Sequence, residues 1–164
     1  MLILTNEENN FKKMKTVGKA VEIANPTSSE YSICRNWLLP SILKVLTANQ
    51  HRDFPQKIFE IGDIIEIDDK AETKTKTIRK LSCVVSHDNA NLTEIKAFMT
   101  AFLKNLGINY QIGELSHPSF IESRVGQIVI NNIPAGFFGE VHPEILNNWK
   151  LERPVIVFEI ELKV

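Results

Sequence analysis

Residues 57–67 set apolar Ile58, Ile61, Ile65 and Ile67 among charged neighbours, and residues 78–86 form a second β-rich run. The stretch between them, Asp68-Asp69-Lys70-Ala71-Glu72-Thr73-Lys74-Thr75-Lys76, is too polar to bury. Together they predict a hairpin with a charged connection. A second hairpin is expected where 125–131 and 133–141 meet at Asn131-Asn132, a pair that tolerates the positive φ of a tight turn. Strands joined by short turns pair antiparallel, whereas a parallel pair needs a long crossover. The chain is therefore not built from βαβ units. Residues 154–162, 109–115, 2–4 and 21–24 read as further strands, with Asn25-Pro26 turning the chain after the last of these.

The clearest helix carries Ile95, Phe98, Met99, Phe102, Leu103 and Leu106 on one face, with Gly107 as its stop. Asn91 followed by Glu94 resembles a capping box at its start, which accounts for the Asn91-Leu92-Thr93 sequon without a sugar. Residues 31–52 read as helical, Pro40 opening a second helical piece, and Pro143 opens a short helix of its own. Helices set beside an antiparallel sheet make the class α+β. With 164 residues, 43% of them hydrophobic, one core can bury about 70% of the unfolded surface. No repeat or linker divides the chain, so a single domain over 1–164 is expected.

Charge narrows the function. Lys and Arg number 19 against 20 Asp and Glu, a balance of 19 − 20 = −1. A dedicated nucleic-acid module usually carries a clear basic excess. Cys34 and Cys83 stand alone in apolar stretches and read as reduced, buried thiols of a cytoplasmic protein. No run approaches the ~18 apolar residues of a membrane span, and the apolar start at Met1 to Leu4 is too short for a signal peptide.

No GxGxxG, GxxxxGK[ST] or GxSxG occurs, and His51, His87, His117 and His142 lack metal-ligand spacing. No catalytic, cofactor-binding or metal-binding residue is assigned. His117-Pro118 and His142-Pro143 place imidazoles at element boundaries, as backbone caps or proton carriers. Glu60, Glu140, Glu159 and Glu161 lie in strands. They could meet as an acid and base, hold Mg²⁺, or pair with Arg35 and Arg124, the arginines in the most apolar surroundings. Lys70, Lys74 and Lys76 are candidates for RNA contact or a solvated loop, and no aromatic is interleaved with them for base stacking.

Five blocks occur in one order: Asn25-Pro26-Thr27-Ser28-Ser29-Glu30-Tyr31-Ser32 with Arg35 and Leu38-Leu39-Pro40; Ile58-Phe59-Glu60-Ile61-Gly62-Asp63; His117-Pro118-Ser119-Phe120 with Arg124; Gly136 to Glu144; and Phe158-Glu159-Ile160. In these the chain resembles the β-subunit family of phenylalanyl-tRNA synthetases, archaeal and eukaryotic type, in its C-terminal catalytic-like module. The resemblance implies a class II synthetase-like antiparallel sheet flanked by helices, without an active site. It implies structural roles for Asn25, Pro26, Glu30, Arg35, Pro40, Glu60, Gly62, Phe120, Arg124, Gly139, Glu140, His142, Pro143 and Glu159. The Phe59-Glu60 strand lacks the arginine that precedes the glutamate in an active class II site. Residues 154–162 likewise lack the glycines and ATP-gripping arginine of motif 3. The partners implied are an α subunit that activates phenylalanine with ATP and Mg²⁺, an (αβ)₂ assembly, and tRNA(Phe) bound through it. Asn36-Trp37 and Ser41 depart from the family pattern. The long motif 1 helix and the editing domain are missing from the sequence, so a fragment of a longer β subunit is expected. The alternative is a free-standing synthetase-like paralogue that binds an amino acid or nucleotide.

Overall fold

A computed structural model describes residues 2–162. Six strands form one antiparallel sheet: β3 (Gln56–Ile67), β4 (Thr75–Ser86), β5 (Gln111–Glu114), β6 (Phe120–Ile130), β7 (Ile133–Val141) and β8 (Val155–Glu161). Their spatial order is β3-β4-β8-β7-β6-β5, so the last strand in sequence lies at the centre. A separate two-stranded ribbon joins β1 (Leu4–Thr5) to β2 (Ile33–Cys34). Helices α1 (Leu39–Ala48), α2 (Leu92–Asn105) and α3 (Pro143–Asn148) complete the fold. The α+β class follows directly from this arrangement.

Both hairpins form as expected. Asn131 and Asn132 take φ of 52° and 62°, which a two-residue turn matched to strand twist requires. Helix α2 starts where the Asn91 side chain accepts a hydrogen bond from the Glu94 amide, and it stops before Gly107 at φ 68°. The capping box is half made, because the Glu94 carboxylate turns to His87 Nε2 at 2.7 Å.

The sheet is covered on both sides. Ile42, Leu43 and Leu46 of α1 pack with Trp37, Val84, Val141, Val155 and Val157 on one face. Ile95, Met99 and Leu103 of α2 pack with Val85, Phe138, Ile156 and Phe158 on the other. That explains the nearly continuous apolar run of β8, whose alternate side chains enter different cores.

Three expected elements differ. Residues 31–52 are not helical throughout: a 3₁₀ turn at Ser29–Tyr31 leads into β2, and only Leu39–Ala48 is α-helix. Long-range bonds hold the first part extended. Arg35 donates its amide to Ile3 O and accepts from Ile65 N, while the Trp37 indole donates to Asn10 O. Residues 21–24 form no strand and contribute one bridge, Glu22 to Ile33. The opening strand is Leu4–Thr5 rather than 2–4, and Met1 lies outside the described residues.

Candidate functional site

Of the four strand glutamates that could carry chemistry, Glu60, Glu140 and Glu159 are already engaged. On the α1 face, Glu60 Oε1 lies 2.8 Å from Arg35 Nη1, and both side chains are buried. Arg35 also donates from Nε to Asp63 O at 3.0 Å and from Nη1 to Ser41 Oγ at 3.4 Å. Gly62 makes this geometry possible: a Cβ there would collide with Arg35 Nη2 and stand 2.9 Å from Glu60 Oε1.

Glu159, 1% exposed, points from central β8 into the first turn of α1. Its carboxylate accepts from Leu38 N at 3.1 Å and Leu39 N at 3.0 Å, with Lys80 Nζ 3.6 Å away. A carboxylate at a helix N-terminus satisfies orphan amides and meets the positive end of the dipole. Burial raises its pKa above the ordinary range, and Lys80 and the two amides offset only part of that. Glu140 makes the mirror contact on the other face. It accepts from Leu92 N at the start of α2 at 2.7 Å, and its second oxygen meets Arg124 Nη1 at 2.8 Å. The two helices are thus each anchored by one strand glutamate.

Glu60, Glu140 and Glu159 do not converge on one another. Glu60 and Glu159 share a face but lie on opposite sides of Ser82 in the strand register, two strand spacings or about 10 Å apart. Each has its own cation, and Glu140 faces the other way. Among the described residues no three His, Cys, Asp or Glu side chains gather to hold a metal. The donor set does not fit Mg²⁺, because its carboxylates are bound to guanidinium, ammonium or helix amides.

His117 and His142 act as backbone caps. His142 Nδ1 accepts from Glu144 N at 3.1 Å at the start of α3, where Pro143 fills the first turn, and His117 Nδ1 accepts from Ser119 N at 3.2 Å. Burial beside Trp37, Phe120 and Phe137 lowers the His117 pKa. The cysteines are free thiols, and burial raises the pKa of both. Phe120 is buried in the α1-face core. Gly139 is required because a Cβ would lie 2.9 Å from Arg124 O. Pro40 sits in the first turn of α1. Asn25, Pro26 and Glu30 lie in an exposed loop, away from these clusters, with Glu30 Oε2 3.9 Å from Lys44 Nζ. At the β3–β4 tip, Lys70, Lys74 and Lys76 are interleaved with Asp68, Asp69 and Glu72, so no local basic excess forms.

Sequence reasoning missed an apolar surface. Phe59 is 71% exposed and Ile61 55% exposed on β3, and Phe98 of α2 is 37% exposed with Lys57 Nζ 5.0 Å from its ring centroid. The apolar pattern of β3 and α2 is what both cores require, and no local signal marks which of these side chains stay uncovered. A groove of about 620 Å³ is lined by Phe102, Leu106, Ile133 and Leu162 among others.

Known proteins carry the same pattern over the whole domain. The family model described as "Phenylalanyl tRNA synthetase beta chain CLM domain" matches residues 2–162. The "Phenylalanine–tRNA ligase beta subunit" of Pyrococcus abyssi is 43% identical over 161 residues, which are 98% of this chain and 29% of that protein. That of Methanocaldococcus jannaschii is 40% identical over 163 residues, 99% of this chain and 30% of that protein. That of Pyrococcus horikoshii is 44% identical over 161 residues, 98% and 29%. The chain spans about three tenths of the length of the curated relatives it matches. Its family description carries the expected β chain and names no C-terminal position. By a match over 2–162 and identities above two fifths, the chain belongs to the phenylalanyl-tRNA synthetase β chain CLM domain family.

Proposed function

We propose that this domain is a non-catalytic assembly module of a phenylalanine–tRNA ligase. One observation carries the reading: Glu60, Glu140 and Glu159 are spent on anchoring Arg35, Arg124 and the N-termini of α1 and α2. In this reading residues 1–164 are a single class II synthetase-like domain of a longer β subunit in the cytoplasm. The domain packs against an α subunit that activates phenylalanine with ATP and Mg²⁺, in an (αβ)₂ assembly that binds tRNA(Phe). The exposed apolar side chains of β3 and α2 support an interaction role, since such surfaces mark contact sites. The family-motif residues have structural roles, and Lys70, Lys74 and Lys76 approach RNA only within the assembly.

Phenylalanine-dependent exchange of pyrophosphate into ATP tests the assignment. The isolated chain is expected to give background exchange only. Exchange by the chain alone, or saturable binding of phenylalanine or ATP to it, overturns the proposal and favours a free-standing synthetase-like paralogue.

A further inference from the structure

Strand β4 ends and β8 begins at the pair Ser86–Val155, and a polar groove of about 300 Å³ opens there. Ser86 lines it at 3% exposure, on the face that Val84 gives to the α1 core. Most buried hydroxyls find a hydrogen-bond partner. That of Ser86 has none among the described residues, and its oxygen is still reachable by solvent. Arg153 brings a held guanidinium to the same groove. Its Cζ lies 3.8 Å from the Phe54 ring centroid, and its Nε donates to Asp88 Oδ1 at 2.7 Å. Asp88, 77% exposed, takes that one nitrogen only, and the two terminal nitrogens donate to nothing among the described residues. The planar fork is therefore oriented and open. Lys150 stands just past α3 at φ 56°, a left-handed position that favours glycine, with its amide bonded to Asn147 O and that of Leu151 to Leu146 O. Its ammonium makes no ion pair among the described residues.

Lys150 and Arg153 share the lining with one carboxylate, Glu152, and with the imidazole of His51. The donors come from three separate segments: the end of β4, the turn after α1, and the connection from α3 to β8. Donors that reach one groove from several segments suit a tetrahedral oxyanion, whereas a single fork is enough for a planar carboxylate. We infer that this groove binds a phosphate group. The Arg153 terminal nitrogens and the Lys150 ammonium meet its charge, and the Ser86 hydroxyl donates to it. A volume of about 300 Å³ holds one phosphate and the atoms next to it, not a whole nucleoside triphosphate, which keeps this groove apart from an ATP site. Small phosphate esters and RNA backbones both carry such a group, and the test separates them. The inference goes beyond the assembly role and stands without it.

Titration of the chain with sodium phosphate at constant ionic strength, followed by ¹H–¹⁵N NMR, reads this directly. Saturable shifts are expected at the Arg153 Nε–H and at the amides around Ser86 and Lys150. Ser86→Ala and Lys150→Gly are each expected to weaken binding about tenfold. Neither is expected to lower the urea midpoint, because the Ser86 hydroxyl has no partner to lose and glycine suits φ 56°. Displacement of phosphate by a short single-stranded RNA identifies an RNA backbone as the source, and no displacement identifies a small phosphate ester; either result keeps the site. Shifts that fail to saturate by about 100 mM phosphate, far above the millimolar range of weak specific sites, overturn the inference. So does binding that is indifferent to both substitutions.

Discussion

Arg35 and Glu60 form a buried pair whose members depend on each other, at 2% and 9% exposure. Arg35→Met leaves the carboxylate buried without its guanidinium and is expected to cost about 3–5 kcal/mol, measured by urea unfolding. Arg35→Met combined with Glu60→Leu is expected to recover most of that loss, since a packed apolar pair replaces a buried ionic one. Glu159 supplies a pH test. Its folded pKa lies above the ordinary 4.5, so the folded state holds the proton more tightly and this group's contribution declines as pH rises from there. Asp63 and Glu144 run the opposite way. Hydrogen bonds from Arg79 and Lys15 hold them low, and their contributions are lost as pH falls through their folded pKa values. The stability of Glu159→Gln relative to wild type is therefore expected to increase between about pH 4 and about pH 7. A difference that stays flat with pH contradicts this account. The arginine partners of Glu60 and Glu140 were legible as the neighbours a half-buried carboxylate needs. The partners of Glu159 were not, because the amides of Leu38 and Leu39 lie more than a hundred residues earlier and carry no side-chain signature.

At the scale of elements, what could be read depended on how local the cause was. Helix α2 carries its own face, cap and stop, and it forms over Leu92–Asn105. Asn91→Ala removes the acceptor for the Glu94 amide and is expected to cost about 1 kcal/mol in the same unfolding experiment. The β6–β7 turn is similarly local. Asn132→Gly places the residue with no Cβ penalty at φ 62° and is expected to hold or raise the thermal midpoint. Residues 31–38 show the limit of local reading. Their apolar spacing suits a helix, but bonds to Ile3, Asn10 and Ile65, each far away in sequence, hold the backbone extended. Tertiary hydrogen bonds outweigh a propensity of a few tenths of a kcal/mol per residue.

For the whole molecule, a near-zero charge accompanies a sheet covered on both faces. Glu60 and Glu159 on one face and Glu140 on the other are engaged by cations and helix amides. The antiparallel α+β architecture was legible because hairpin turns and alternation are written in short segments. The uncovered Phe59, Ile61 and Phe98 were not, because exposure depends on where α2 lands, over β7 and β8 rather than β3. The central claim is that this domain works by assembling with a catalytic subunit. Sedimentation velocity of the chain mixed with the α subunit of an archaeal phenylalanine–tRNA ligase tests it most directly. A faster-sedimenting species that contains both chains is expected; two independent boundaries at every mixing ratio overturn the proposed assembly.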